Sequence, residues 1–193
     1  CDIGLCETHV TADVAYAADR YREITGDGSL DGALSQLYLE TARYWLSRFT
    51  WEPDKNQYSS FFVKGPDEYC GAAINNTFTN YLARHNVRLA LRHAALDGEE
   101  RRRFKHFEEH VALLYDPQRS LYLQDELFDR LEPLPNAHAQ GEPLYRSVCF
   151  DRMQRYRALK QADLVQLMVL FPEDFSDGEK RAVWDRYEPL TVH

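Results

Sequence analysis

No stretch of this sequence comes near the ~20 consecutive apolar residues that span a bilayer, so no membrane association is expected. There is also no excess of basic charge. Lys and Arg number 23 against 31 Asp and Glu, giving a net charge of −8, which argues against broad binding to a phosphate backbone and hence against nucleic acid. The basic cluster Arg101, Arg102, Arg103 and Lys105 sits between Glu99/Glu100 and Glu108/Glu109 and reads as a solvated helix face with internal ion pairs. Cysteine is scarce and scattered. Cys1, Cys6, Cys70 and Cys149 show neither Cys-x-x-Cys spacing nor disulfide density, as expected of reduced thiols in a cytoplasmic protein. The sequence lacks a Gly-x-Ser-x-Gly elbow, a glycine-rich phosphate loop and a dinucleotide fingerprint. His106 and His110 have i, i+4 spacing, but "HFEEH" puts Glu108 and Glu109 at the wrong positions for a zinc-protease motif. No metal and no cofactor are expected.

What is present is enough apolar material for one ordinary domain with a core: 44% hydrophobic, with 12 Tyr and 10 Phe in 193 residues. Apolar residues recur at helical spacing. In residues 12–24, Val14, Ala17, Ala18, Tyr21 and Ile24 share a face, and Gly26 is a natural stop. In the next run Leu30, Leu34, Leu37, Thr41, Trp45 and Phe49 do the same, which predicts two antiparallel helices joined by a short turn. A third helix is expected from Asn75/Asn76 to about Leu96, facing a core with Phe78, Leu82, His85 and Leu89. A fourth follows with Asp97 as N-cap, and helices in "LKQADLVQLMVLF" and "DGEKRAVWDRYE" close the chain. Between them lie irregular excursions, with short strands expected at Tyr58–Val63 and near Leu121–Gln124 and a Pro-, Asn- and Gly-rich loop at 132–143. Asn75-Asn76-Thr77 is a glycosylation sequon, which matters only in a secreted protein. A chain that opens on Cys1 and closes straight after a helix is expected to be part of something longer.

Three places have residues suited to chemistry. Asp67 and Glu68 sit behind a Gly65-Pro66 turn, near Phe61, Phe62 and Tyr69. A carboxyl desolvated there would have a raised pKa and serve as a general acid; equally, the two acids could merely cap the helix that follows. Lys160 and Gln161, before Ala162 and Asp163, can donate several hydrogen bonds to sugar hydroxyls or form a solvent-facing first turn. Glu188 lies in Tyr187-Glu188-Pro189, an acid ahead of a helix-ending proline.

Taken together, "GPDEY", the following "NN-x-x-TN", "KQAD" and "YEP-x-T-x-H" resemble glycoside hydrolase family 65, which holds maltose, trehalose, kojibiose and nigerose phosphorylases and some hydrolases. The likeness runs in order from about Glu7 to His193, and "ETHVTADVAYAADRYREITGD" and "LETARYWLSR" resemble the family's paired helices before the acid loop. It implies an all-α fold, with residues 1–193 forming part of an (α/α)6 toroid truncated at both ends: helix pairs, long loops and at most short β-hairpins. It also implies an inverting enzyme that converts an α-linked glucosyl disaccharide and inorganic phosphate, its co-substrate, into β-glucose 1-phosphate and an acceptor sugar. Glu68 would be the catalytic acid. Lys160 and Gln161 would hold the glucosyl unit, and Glu188 would contribute to substrate binding. The 193 residues alone would be inactive, and a homodimer is compatible with the full-length enzyme. The alternatives are a family hydrolase in which water replaces phosphate and, in another class, a non-catalytic helical scaffold.

Overall fold

The computed structural model describes residues 3–134 and 148–192. Most of the 132–143 loop, Cys1 and His193 lie outside the described residues. The helices are α1 (Ile3–Cys6), α2 (Val10–Thr25), α3 (Asp31–Arg48), α4 (Thr77–His93), α5 (Gly98–His110), α6 (Phe150–Met153), α7 (Asp163–Leu170) and α8 (Asp177–Tyr187). The strands are only two or three residues long: β1 (Thr50–Glu52), β2 (Gln57–Ser59), β3 (Phe61–Val63), β4 (Ala73–Ile74), β5 (Tyr115–Asp116), β6 (Leu121–Tyr122), β7 (Glu132–Pro133) and β8 (Tyr156–Arg157). The expected all-α class with short strand pairs is what the structure shows. The chain divides into two compact units, one of Thr8–Phe61 and Thr79–Ala112, the other of Cys1–Glu7, Phe62–Phe78 and Leu113–His193.

The first unit is a helical one. α2 ends where Gly26 takes a left-handed φ of 65° and returns its N–H to Arg22 O, a conformation that glycine reaches without a Cβ penalty. The Asp27 carboxylate then accepts from Ser29 N at 2.8 Å and leads the chain into α3. The face of α2 differs from the one expected. Ala12, Ala15 and Asp19 are buried, whereas Val14, Tyr21 and Ile24 are exposed. Small residues let α2 approach α3 closely, and the larger apolar stripe points to solvent. In α3 the buried face is Leu34, Tyr38, Leu39, Ala42 and Trp45, with Leu30 exposed. α4 and α5 complete the core through Leu82, Leu89, Phe104 and Phe107, all buried. The Trp45 indole, fully enclosed, donates to Asn86 Oδ1 at 3.1 Å, as a buried indole N–H requires.

One expectation about this unit is extended and one changes. The strands after α3 pair as β1 with β2, Thr50 opposite Ser59, around a turn at Pro53–Lys55. Short strands lie where expected, as β2 and β3, and the addition is β1, which Asn56 in a left-handed conformation turns back onto β2. The acids of α5 do not pair within their own helix. Glu100 takes Arg43 of α3 at 2.6 and 3.0 Å, and Glu108 takes Arg88 of α4 at 2.6 Å.

The second unit is mostly loop, organised by short pairings. β5 and β6 form an antiparallel hairpin, Tyr115 opposite Tyr122, close to the segment predicted. β7 and β8 pair in parallel, Glu132 opposite Tyr156. α7 packs on α8, with Leu164, Leu167, Val183 and Tyr187 buried. The buried Tyr187 hydroxyl accepts from Gln124 N at 3.0 Å and donates to Tyr122 O at 3.1 Å, fixing the β6 loop to α8. The sequon is not available for glycosylation: Asn75 is fully buried and its amide donates to Glu126 at 2.7 Å.

Candidate active site

The turn that follows β3 is built almost entirely from buried polar groups. Lys64 N–H bonds Cys6 O at 2.9 Å, and its enclosed ammonium lies 3.7 Å from Glu7 Oε1. Gly65 follows, and no other residue fits, because a Cβ there would overlap Asp163 Oδ2. Asp67 is 2% exposed. Its carboxylate Oδ1 accepts from Tyr69 N at 3.2 Å within the turn and from Lys160 N at 2.7 Å, 93 residues away. Asp67 N–H in turn donates to Asp163 Oδ1 at 2.7 Å.

That interlock brings Glu68, Lys160 and Gln161 together. Lys160 Nζ donates to Glu68 Oε2 at 2.6 Å, and Gln161 Nε2 donates to Oε1 at 2.7 Å. Gln161 Oε1 accepts the Glu68 N–H at 3.1 Å, so one amide holds both the backbone and the side chain of the acid. Glu188 does not join them. It is exposed at the start of a 3₁₀ turn, although its segment is tied to the Lys160 strand through Leu159 N to Leu190 O at 2.9 Å and Val192 N to Leu159 O at 2.8 Å.

The electrostatics of the two adjacent acids are opposite. Glu68 is half-exposed, and the hydrogen bonds from Lys160 and then Gln161 hold its carboxyl below the usual range. The aromatic desolvation expected of this acid is absent, since Phe61 and Phe62 are themselves exposed. Asp67 is the desolvated one: burial pushes its carboxyl up, and the N–H donors of Lys160 and Tyr69 only partly offset this. Asp163 is raised as well, by burial and then by the neighbouring Asp67 charge. Burial likewise pushes the Cys70 thiol far up, leaving it a poor nucleophile.

Sequence reasoning missed the residues that hold the turn. Asp163 opens α7 and reads as a solvent-facing first-turn acid, yet it is 1% exposed. Its Oδ2 accepts from Asn76 Nδ2 at 2.9 Å and Gln124 Nε2 at 2.8 Å, both from buried side chains. The only signal was the polar run Asn75-Asn76 beside an acid turn, which also fits a helix cap. Asp125 is buried too, accepting from Leu127 N at 2.6 Å and Phe128 N at 2.9 Å. A cavity of about 140 Å³ is lined by Asp67, Tyr69, Cys70, Gln124, Asp125 and Gln154 among others, but not by Glu68, Lys160 or Gln161. His106 and His110, the other candidates, stack at 4.4 Å beside Trp51. Among the described residues no group of three or more His, Cys, Asp or Glu is placed to hold a metal ion, and no helix is long and apolar enough to cross a membrane.

Comparison with known proteins gives the chain's family. A kojibiose phosphorylase of Escherichia coli is 33% identical over 196 residues, covering 97% of this chain and 26% of that protein. A maltose phosphorylase of Bacillus subtilis is 28% identical over 206 residues, covering 100% of this chain and 27% of the other. A solved structure from the human microbiome, provisionally assigned as a kojibiose phosphorylase, superposes with a TM-score of 0.84 at 26% identity, covering 95% of this chain and 28% of that one. The chain thus spans about a quarter of the length of these relatives. The glycosyl hydrolase family 65 central catalytic domain matches residues 1–193, and the chain belongs to that family.

Proposed function

We propose that this chain carries the general acid and part of the glucosyl-binding surface of an inverting disaccharide phosphorylase, within an (α/α)6 toroid. The substrates are an α-linked glucosyl disaccharide and inorganic phosphate, and the products β-glucose 1-phosphate and a free acceptor sugar. The observation that carries this reading is the cluster in which Lys160 and Gln161 grip both oxygens of Glu68 at 2.6 and 2.7 Å, in a family whose relatives include phosphorylases of kojibiose, maltose and trehalose.

Glu68 protonates the glycosidic oxygen as phosphate attacks the anomeric carbon from the opposite face. Held by Lys160 and Gln161, Glu68 is ionised and has no proton to give. Sugar hydroxyls that recruit the Lys160 ammonium and the Gln161 amide withdraw those donors, and the carboxyl can then load a proton. Asp67 is too deeply buried to reach a substrate and serves the turn instead.

The test uses the complete protein in which this chain resides. Glu68→Gln keeps shape and hydrogen bonding but removes the transferable proton. Activity on the natural disaccharide should fall about 10²–10⁴-fold, the usual worth of general acid catalysis. The loss should appear in kcat with little change in KM. α-Glucosyl fluoride, whose leaving group needs no proton, should recover part of the rate. Near-full activity of the variant on the disaccharide would remove Glu68 from this role.

A further inference from the structure

Asp163 is a buried carboxyl group for which the reaction has no use. It neither donates to nor accepts from Glu68, Lys160 or Gln161 side chains, yet it receives three donors from three separate segments: Asp67 N, Asn76 Nδ2 and Gln124 Nε2 at 2.7, 2.9 and 2.8 Å. Both of its oxygens are used as acceptors. An asparagine or a serine offers too few acceptor sites to replace it, and a buried donor left without a partner is strongly unfavourable. Burying an acid is itself unfavourable, so an apolar helix start would be the simpler solution were stability all that mattered.

The arrangement is a closed ring. Asp67 N–H goes to Asp163, Asp67 Oδ1 takes Lys160 N, and the backbone from Lys160 returns to Asp163. Glu68 leaves the ring one residue after Asp67, and Lys160 and Gln161 lie on its other arm. The ring therefore sets the register between two segments 93 residues apart in sequence. Gly65 belongs to the same design, since any side chain there would displace Asp163.

We propose that Asp163, acting through Asp67, is a positioning residue that holds Glu68 against Lys160 and Gln161. Its role for catalysis rests on the reading of Glu68 as the acid; the positioning itself does not. The experiment follows the Glu68 carboxyl by ¹³C NMR through a pH titration of the complete protein in which this chain resides, the signal assigned by its disappearance in Glu68→Gln. In the wild type the expected midpoint is below the ordinary glutamate range, because Lys160 and Gln161 donate to the carboxylate. Asp163→Asn has one carboxamide oxygen for donors now shared between Oδ1 and Oδ2, so its NH₂ must face either the Asp67 N–H or the Asn76 and Gln124 amides; the side chain is driven from its place, the ring opens and the midpoint moves up to the ordinary range. Asp67→Ala removes the acceptor of Lys160 N, opens the same ring at its other bond and shifts the midpoint in the same direction. Leu164→Ala, a fully buried neighbour on α7, loosens packing without touching the ring and leaves the midpoint in place.

An unmoved midpoint in folded Asp163→Asn overturns the proposal, as does an equal shift in Leu164→Ala. Should Asp163→Asn not fold, an unmoved midpoint in Asp67→Ala is decisive against it. The readout needs no turnover. A Glu68→Gln enzyme with full activity would defeat the catalytic reading and leave the positioning intact, and an unmoved titration would do the reverse.

Discussion

The two compact units of this chain both enclose apolar side chains but differ in the ionisable groups buried beside them. The helical unit encloses Tyr38, Ala42, Trp45, Leu82, Leu89, Phe104 and Phe107, with Asn80 and Asn86 as bridging amides. The loop-rich unit encloses Leu159, Leu164, Leu167, Val183 and Tyr187 and, beside them, Lys64, Asp67, Asn75, Asn76, Gln124, Asp125 and Asp163. The reason is the backbone. A helix satisfies its own N–H and C=O groups except at its ends, so its buried face can be apolar. A loop taken into the interior brings orphan backbone groups that must find side-chain partners. Asp67, Asp125 and Asp163 all accept backbone N–H groups in this way. The functional candidates lie where irregular backbone is fixed in place by buried acids.

The largest effect that would sharpen this contrast is expected in the helical unit. Trp45→Ala removes a fully enclosed side chain and should lower stability by about 3–5 kcal/mol, the range for large aromatic truncations. The loss of the partner to Asn86 Oδ1 adds to the cost. Urea unfolding measures this, and the Glu68 titration should not respond while the chain is folded. A cost below about 1 kcal/mol would mean that the helical unit does not depend on its apolar core.

A smaller effect, with a definite sign, belongs to the loop-rich unit. Asp67 and Asp163 have carboxyl groups raised by burial. They hold protons in the folded chain at pH values where the unfolded chain has lost them. The folded state then binds more protons, so stability falls as pH rises. The contribution is fully present below the ordinary Asp range near ~3.9 and is lost as pH climbs through the raised folded values. Glu68, Asp27 and Asp31, held low by their partners, act in the opposite direction but only in acid. Between about pH 5 and pH 7 the unfolding free energy of the wild type should therefore decline relative to that of Asp163→Asn. The slope is at most about 1.4 kcal/mol per pH unit for each proton. A difference that is flat over this range would show that the buried acids are not proton-linked, and the contrast between the units would lose its electrostatic half.

The helical unit was the more legible of the two in the sequence, though not in every particular. Helical spacing located α2 through α5, and Asp97 was recognisable as the cap of α5, accepting from Glu100 N at 2.8 Å. Periodicity identifies a stripe but not what packs on it, which is why Val14 and Ile24 of α2 turned out exposed while Ala15 is buried. In the loop-rich unit, spacing alone left Asp67, Glu68, Lys160 and Gln161 undecided between cap, surface and site. Their order in the chain, matched to a family, was what singled them out. Asp163, Asn76 and Gln124 stayed hidden because a buried hydrogen-bonded acid and a solvated one look alike in sequence. Only the pairing of residues about 90 positions apart separates them.

The smallest effect tests whether the units differ in their helices or only in what they bury. α8 belongs to the loop-rich unit and begins with a reciprocal cap: Glu179 N donates to Ser176 Oγ at 3.3 Å, and Ser176 N donates to Glu179 Oε2 at 2.8 Å. The motif is written in the sequence as Ser-x-x-Glu, a capping box. α5, in the helical unit, has the simpler Asp97 cap. Both capping residues are exposed, so water can replace part of what a substitution removes. Ser176→Ala and Asp97→Ala should each cost about 1 kcal/mol, within the range of ~0.5–2 kcal/mol for such caps, and by similar amounts. Chemical denaturation of the two variants side by side measures this. Equal losses place the difference between the units in their buried groups. A loss at Ser176 as large as that at Trp45 would instead make α8 the support of the whole loop-rich unit, through Tyr187 and its hydrogen bonds to Tyr122 and Gln124.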